Sequence, residues 1–158
     1  GVAPIPAHLF ILYFGMMSMI TPPIALAAFA AATLTKANPM TTGFVAMKFG
    51  WTAYFVPFLM VYSPTLILIG EPADIVINVT TAIVGTYYAS LAVVGYLGRP
   101  LNPLLRILMA AAGLAAMLPY EIFAEAAMIN IAGVSLGAAI IAYEYFAARG
   151  SAVRAEGS

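Results

Sequence analysis

Two hydroxyl residues, Ser18 and Thr21, sit three residues apart in an otherwise apolar run, with Gly15 on one side and the pair Pro22-Pro23 on the other. No histidine, cysteine or carboxylate stands in the run to activate them for acid–base or nucleophilic work. They suit coordination. A helix ending near Ser18 presents carbonyl oxygens and the negative end of its dipole, which favours Na⁺ or another hard cation. A helix starting after Pro23 presents a positive end and free N–H groups, which favours an anion such as a carboxylate. Gly15 permits close backbone approach. Gly15, Ser18, Thr21, Pro22 and Pro23 are therefore the candidate ion- and substrate-binding residues. Ser18, Met19 and Thr21 are the candidate Na⁺ ligands, through hydroxyls or backbone carbonyls. The competing reading is that both hydroxyls bond back to their own helix, with Thr21 acting as an N-cap. An N-cap beside a site is compatible with both.

What would position these residues is the stretch 9–35, long and apolar enough to cross a membrane but interrupted near its middle. Proline has no N–H, and its ring clashes with the carbonyl four residues back. Pro22 and Pro23 therefore deprive the carbonyls of Ser18 and Met19 of helical partners. Thr21 and Pro22 each precede a proline, which disfavours the α conformation for both. The pattern predicts two half-helices, 9–18 and 24–34, around a short unwound turn. Irregular backbone within a bilayer survives only where protein buries it or water lines it, and broken spans mark binding sites in secondary transporters. A plain proline kink is the alternative.

Composition narrows the class. The 158 residues are 64% hydrophobic and 8% charged, against about 25% charged in soluble chains. The prediction is an all-α, polytopic membrane protein, with the lipid bilayer as its surroundings. Net charge is zero and no basic cluster exists, which argues against nucleic acid as a partner. Cysteine is absent and His8 is the one histidine, so no thiol chemistry, histidine metal cluster or catalytic set is offered. No cofactor is expected and the protein is not read as an enzyme. Glu121 and Glu125 lie one helical turn apart, but without a third ligand they read as a wet interfacial segment.

Along the chain, residues 1–8 carry two prolines and are predicted to be a loop ending at His8, itself an interfacial or capping residue. Asn38 is a plausible N-cap with Pro39 following it. Residues 40–49 read as an interfacial segment, and 50–69 as a span kinked by Pro57 and Pro64, with Trp51, Tyr54 and Phe55 as an aromatic belt. Residues 75–97 form a long span in which Gly85 and Ala89 offer a packing face. A short helix over 107–118 stops at Pro119, and the last span, 131–148, carries Gly133-x-x-x-Gly137 before a frayed polar tail. That makes about five spans, the first of them discontinuous at Thr21-Pro22-Pro23, in two parts, 1–70 and 71–158.

Charge sets the expected orientation. Lys36 and Lys48, Arg99 and Arg106, and Arg149 and Arg154 follow the first, third and fifth spans, whereas the alternate connections hold Glu71, Asp74, Glu121 and Glu125. Basic residues favour the cytoplasmic side, which places the N-terminus outside and the C-terminus inside.

The block Phe14-Gly15-Met16-Met17-Ser18-Met19-Ile20-Thr21-Pro22-Pro23-Ile24-Ala25-Leu26-Ala27-Ala28-Phe29 resembles the segment around the Thr-Pro-Pro motif of TRAP transporter permeases, most closely the fused permeases of the TAXI type. Asn38-Pro39-Met40-x-Thr42-Gly43, Lys48-Phe49-Gly50-Trp51 and Pro57-Phe58-Leu59-x-Val61-Tyr62-Ser63-Pro64 extend the similarity to about residue 70. Residues 71–158 resemble such permeases in character only. The resemblance implies an inner-membrane permease that moves organic acids by an elevator-type motion. It further implies coupling to Na⁺ or protons and work with a periplasmic substrate-binding protein. The family's binding region carries over to Gly15, Ser18, Thr21, Pro22 and Pro23. Many relatives have an acidic residue where this chain has Met19, and many dicarboxylate-type members have glycine where it has Ala25. The chain opens on Gly1 and reads as a C-terminal fragment of the large membrane subunit, needing the remainder of the permease to transport. The alternative is a structural or oligomerisation domain of a transporter whose site lies elsewhere.

Overall fold

The computed structural model describes residues 3–119, 122 and 124–156, with side chains of the last helix described as far as Ala147. The chain is all-α apart from one two-residue ladder. Its elements are α1 (Pro4–Met17), α2 (Leu26–Thr35), α3 (Pro39–Phe49), α4 (Thr52–Tyr62), a 3₁₀ turn (Pro64–Ile67), α5 (Pro72–Val94), β1 (Tyr96–Leu97), β2 (Arg99–Pro100), α6 (Pro103–Met117) and α7 (Ala126–Glu156). They pack as two units, Gly1–Ile69 and Gly70–Ser158.

Prolines start helices here more often than they break them. Pro4, Pro39, Pro64, Pro72 and Pro103 each sit in a first turn, where the missing N–H would have had no partner. This corrects the loop expected over residues 1–8. Pro4 and Pro6 both fall in the first turn of α1, and His8 Nδ1 bonds back to the Pro4 carbonyl at 2.6 Å. Asn38 caps α3 as expected, its Oδ1 accepting from Thr41 N–H at 3.1 Å, and Asn102 caps α6 in the same way.

Two helices, α5 and Ala126–Ala147 of α7, are long and apolar enough to cross a membrane, and a third span results if α3 and α4 count together. At 1.5 Å per residue, the 14, 10 and 15 residues of α1, α2 and α6 fall short of a bilayer's ~30 Å core. By length and composition, two or three candidate spans occur among the described residues, where about five are expected from the sequence. The segment read as interfacial is α3, which continues into α4 across a 41° bend. That bend lies at Gly50-Trp51, whereas Pro57 is carried inside α4 and Pro64 opens the 3₁₀ turn. Helix α7 begins at Ala126 and runs to Glu156, through the tail expected to fray. Glu121 lies outside the described residues, and Glu125 is exposed in a turn before α7.

Within the first unit, α1 packs on α4 and α2 on α3. Phe10 and Phe14 meet the ring of Phe58 edge-on, with centroids 5.1 and 5.7 Å apart. Helix α2 buries its small face, Ala28 and Ala32. Within the second unit, α5, α6 and α7 approach through small residues, as Gly85, Ala89 and the Gly133/Gly137 pair led one to expect. A Cβ on Gly113 would lie 2.6 Å from the Ala89 nitrogen, and one on Gly137 would enter the ring of Tyr88. Asn130, buried on α7, donates to the carbonyls of Ala116 and Leu118 at 2.9 and 2.8 Å and so satisfies the end of α6.

The basic residues of the α5–α6 connection are held by the second unit. Arg99 donates to both carboxylate oxygens of Glu144, Nε at 2.5 Å and Nη2 at 3.1 Å. Those hydrogen bonds raise the Arg99 pKa above its ordinary value. Arg106 donates to the carbonyls of Ala92 and Val93 at the end of α5, a cation where the helix dipole favours one.

Candidate functional site

Helices α1 and α2 are separated by a break between Ser18 and Ala25, and the reason is the one the prolines supply. Helix α1 closes with short bonds, Met19 N–H to Met16 and Ile20 N–H to Met17, both 3.1 Å, which tighten its last turn. Pro22 and Pro23 follow with no N–H to give, joined by a cis peptide bond. The chain then reverses at Ala25, whose φ of 39° is left-handed and whose surface is wholly buried. The left-handed region costs a non-glycine residue roughly 1–2 kcal/mol. The position is thus one where glycine would be conformationally at home.

The two sides of the break bond to each other. Ala25 N–H donates to the carbonyls of Ser18 and Thr21, at 3.1 and 3.0 Å, and Ala27 N–H donates to the Met19 carbonyl at 2.9 Å. The carbonyl end of α1 and the N–H end of α2 therefore satisfy one another in part. Met19, a candidate ligand through its carbonyl, already has that oxygen engaged, and its side chain is exposed. Among the described residues, no backbone N–H donates to the carbonyls of Ile20, Pro22, Pro23 or Ile24.

Both hydroxyls bond back to α1. Ser18 Oγ donates to the Gly15 carbonyl at 2.6 Å, and Thr21 Oγ1 donates to the Met17 carbonyl at 2.5 Å. Thr21 is not the N-cap of α2: that position is Ala25, which makes no side-chain cap bond. The hydroxyl of Thr21 points instead toward α4 and meets Tyr54 Oη at 2.5 Å. Gly15 has open space where a Cβ would stand, so its close approach serves nothing within this unit.

The α3–α4 pair cradles the break through residues that sequence reasoning missed. A Cβ on Gly43 would lie 2.7 Å from Pro22 Cγ, and one on Gly50 would lie 2.8 Å from Ile20 Cδ1. Positions 43, 50 and 54 are seven and four apart, with Gly43 in α3, Gly50 at the bend and Tyr54 in α4, and all three meet the break. That spacing is the available signal, and the aromatic-belt expectation for Tyr54 masks it. Its neighbours Trp51 and Phe55 stack edge to face at 5.5 Å, whereas Tyr54 turns to the break.

The oxygen set fits a hard, weakly polarising cation better than a transition metal. It consists of hydroxyls and carbonyls, and no group of three or more His, Asp or Glu that could hold a metal occurs among the described residues. Ser18, Thr21 and the carbonyls without a backbone donor are the atoms that would hold Na⁺.

A family model described as "Tripartite ATP-independent periplasmic transporter, DctM component" matches residues 1–75, a little under half of the chain. The matched stretch contains the whole of the first unit, with the break and its cradle. It is similar to the membrane component of a TRAP transporter, a transport protein rather than an enzyme. No curated protein and no solved structure matches the chain.

Proposed function

We propose that the chain is part of a secondary active TRAP-type permease, of the fused TAXI kind, that imports organic acids at the expense of an ion gradient, with a periplasmic substrate-binding protein. Gly15, Ser18, Thr21, Pro22 and Pro23 contribute one part of its ion- and substrate-binding region, and Na⁺ or protons are the coupling ion. The observation that carries this reading is the interruption between Ser18 and Ala25. It places two hydroxyls and several carbonyls without backbone donors in an apolar stretch, within the residues matched to the DctM component. The remainder of the permease completes the site. The membrane is the inner membrane, with the chain's N-terminal end periplasmic and its C-terminal end cytoplasmic, as the segregation of its basic residues supports.

The second reading is a structural domain, and the internal bonding of both hydroxyls favours it. Uptake by the intact permease and its binding protein in proteoliposomes separates the two, with a Na⁺ gradient and then a proton gradient imposed. Under the first reading Na⁺-driven uptake collapses in Ser18→Ala or Thr21→Ala. Proton-driven uptake indifferent to both substitutions would leave this region as scaffold.

A further inference from the structure

The Thr21 hydroxyl has more partners than a threonine bonding back to its helix needs. A hydroxyl has one proton to donate and two lone pairs with which to accept. Thr21 donates that proton to the Met17 carbonyl. The contact to Tyr54 Oη, at 2.5 Å across 33 residues of sequence, must then run the other way, with the tyrosine donating. The result is an ordered chain from Tyr54 through Thr21 to Met17. One lone pair of Thr21 accepts from Tyr54 and one is left.

We infer that Tyr54 is a positioning residue for Thr21: it orients the threonine so that its remaining lone pair is available to a bound Na⁺. This rests on the reading of the break as an ion site. Three contacts from the α3–α4 pair hold the arrangement. Pro22 sits against Gly43, Ile20 against Gly50, and Thr21 hangs on Tyr54. Without the tyrosine, Thr21 keeps its bond to Met17 but loses the second contact that fixes the oxygen, and the lone pair that accepted from Tyr54 is opened to water. A hydroxyl oriented in advance spares the ion that ordering, which is how preorganisation raises affinity.

The test is a Na⁺ titration of the unfolding midpoint of the intact purified permease, with choline chloride as the ionic-strength control. Binding to the folded state raises the midpoint with ion concentration. Tyr54→Phe keeps the ring and removes one oxygen. It is expected to raise the Na⁺ concentration giving half the shift by about three- to tenfold, the effect of one hydrogen bond. Thr21→Ala raises it as well, and the double variant rises no further than Thr21→Ala alone, because the tyrosine acts through the threonine. A Tyr54→Phe variant with a lower midpoint in choline but an unchanged Na⁺ requirement has lost a packing contact only, and the inference fails. If Thr21→Ala shifts the requirement and Tyr54→Phe does not, the inference fails while the ion site stands. Additive effects in the double variant also overturn it. If the wild-type midpoint does not respond to Na⁺, the ion-site reading falls and takes the inference with it.

Discussion

Gly43 and Gly50 face the break at nearly the same distance, yet a methyl group at each has different consequences. At Gly43 the new carbon meets Pro22 Cγ at 2.7 Å and Cδ at 3.3 Å, both in a rigid ring with no rotamer to move into. Overpacking of that kind costs about 1–3 kcal/mol. At Gly50 it meets Ile20 Cδ1 at 2.8 Å, the far end of a side chain that can rotate away. Gly43→Ala is therefore expected to lower the unfolding midpoint and displace the break, reducing uptake. Gly50→Ala is expected to stay within about 1 kcal/mol of the parent. Thermal unfolding in detergent ranks the two, and equal losses would show that the ring is not pinned against α3. The break was legible in the sequence where backbone chemistry alone decides it: two prolines remove two N–H groups wherever they stand. It was not legible where partners come from another element. Nothing in Thr21 or its neighbours says that Tyr54 reaches it, and nothing near Ala25 says that the chain turns left-handed there.

Helix ends were legible where a residue acts on its own neighbours, as Asn38 does on Thr41. The role of a proline depends on what precedes it, so Pro4, Pro6 and Pro64, which read as breakers in the sequence, each sit in a first turn. Gly85, Ala89 and the Gly133/Gly137 pair announced close helix packing because small residues in a membrane helix have few other uses. The tie between β2 and α7 had no such signal. Arg99 and Glu144 are 45 residues apart, and only the fold joins them. Glu144 is 1% exposed. Arg99→Ala would strand a buried carboxylate, whereas Arg99→Met with Glu144→Met removes both charges and keeps apolar volume. The single variant is expected to lose more of the unfolding midpoint than the double. A double variant as unstable as the single would mean that the hairpin itself, not the pair, holds β2 to α7.

Across the chain, the basic residues bear two explanations that experiment can separate. Arg99 and Arg106 are engaged within the second unit, one with Glu144 and the other with the end of α5. A structural duty of that kind requires no particular side of the membrane. Lys36 lies between α2 and α3, whereas Lys48 lies in the last turn of α3, within the bent α3–α4 pair, and Glu71, Asp74 and Glu125 fall in the alternate connections. Segregation of this kind is what orientation by positive charge produces, and the ion pair does not explain it. A reporter fused after Arg99 is accordingly expected in the cytoplasm and one fused after Asp74 in the periplasm, since the 23 residues of α5 span the distance between them. If both reporters fall on one side, α5 does not cross. If both cross in the opposite sense, Arg99 and Arg106 are present for the fold alone, and Lys36 and Lys48 need another account. Replacing Arg106 with Gln refines the result. It keeps a donor for the Ala92 and Val93 carbonyls but removes the charge, so a loss of orientation without a loss of stability would assign the arginine's charge to topology and its hydrogen bonds to the helix end.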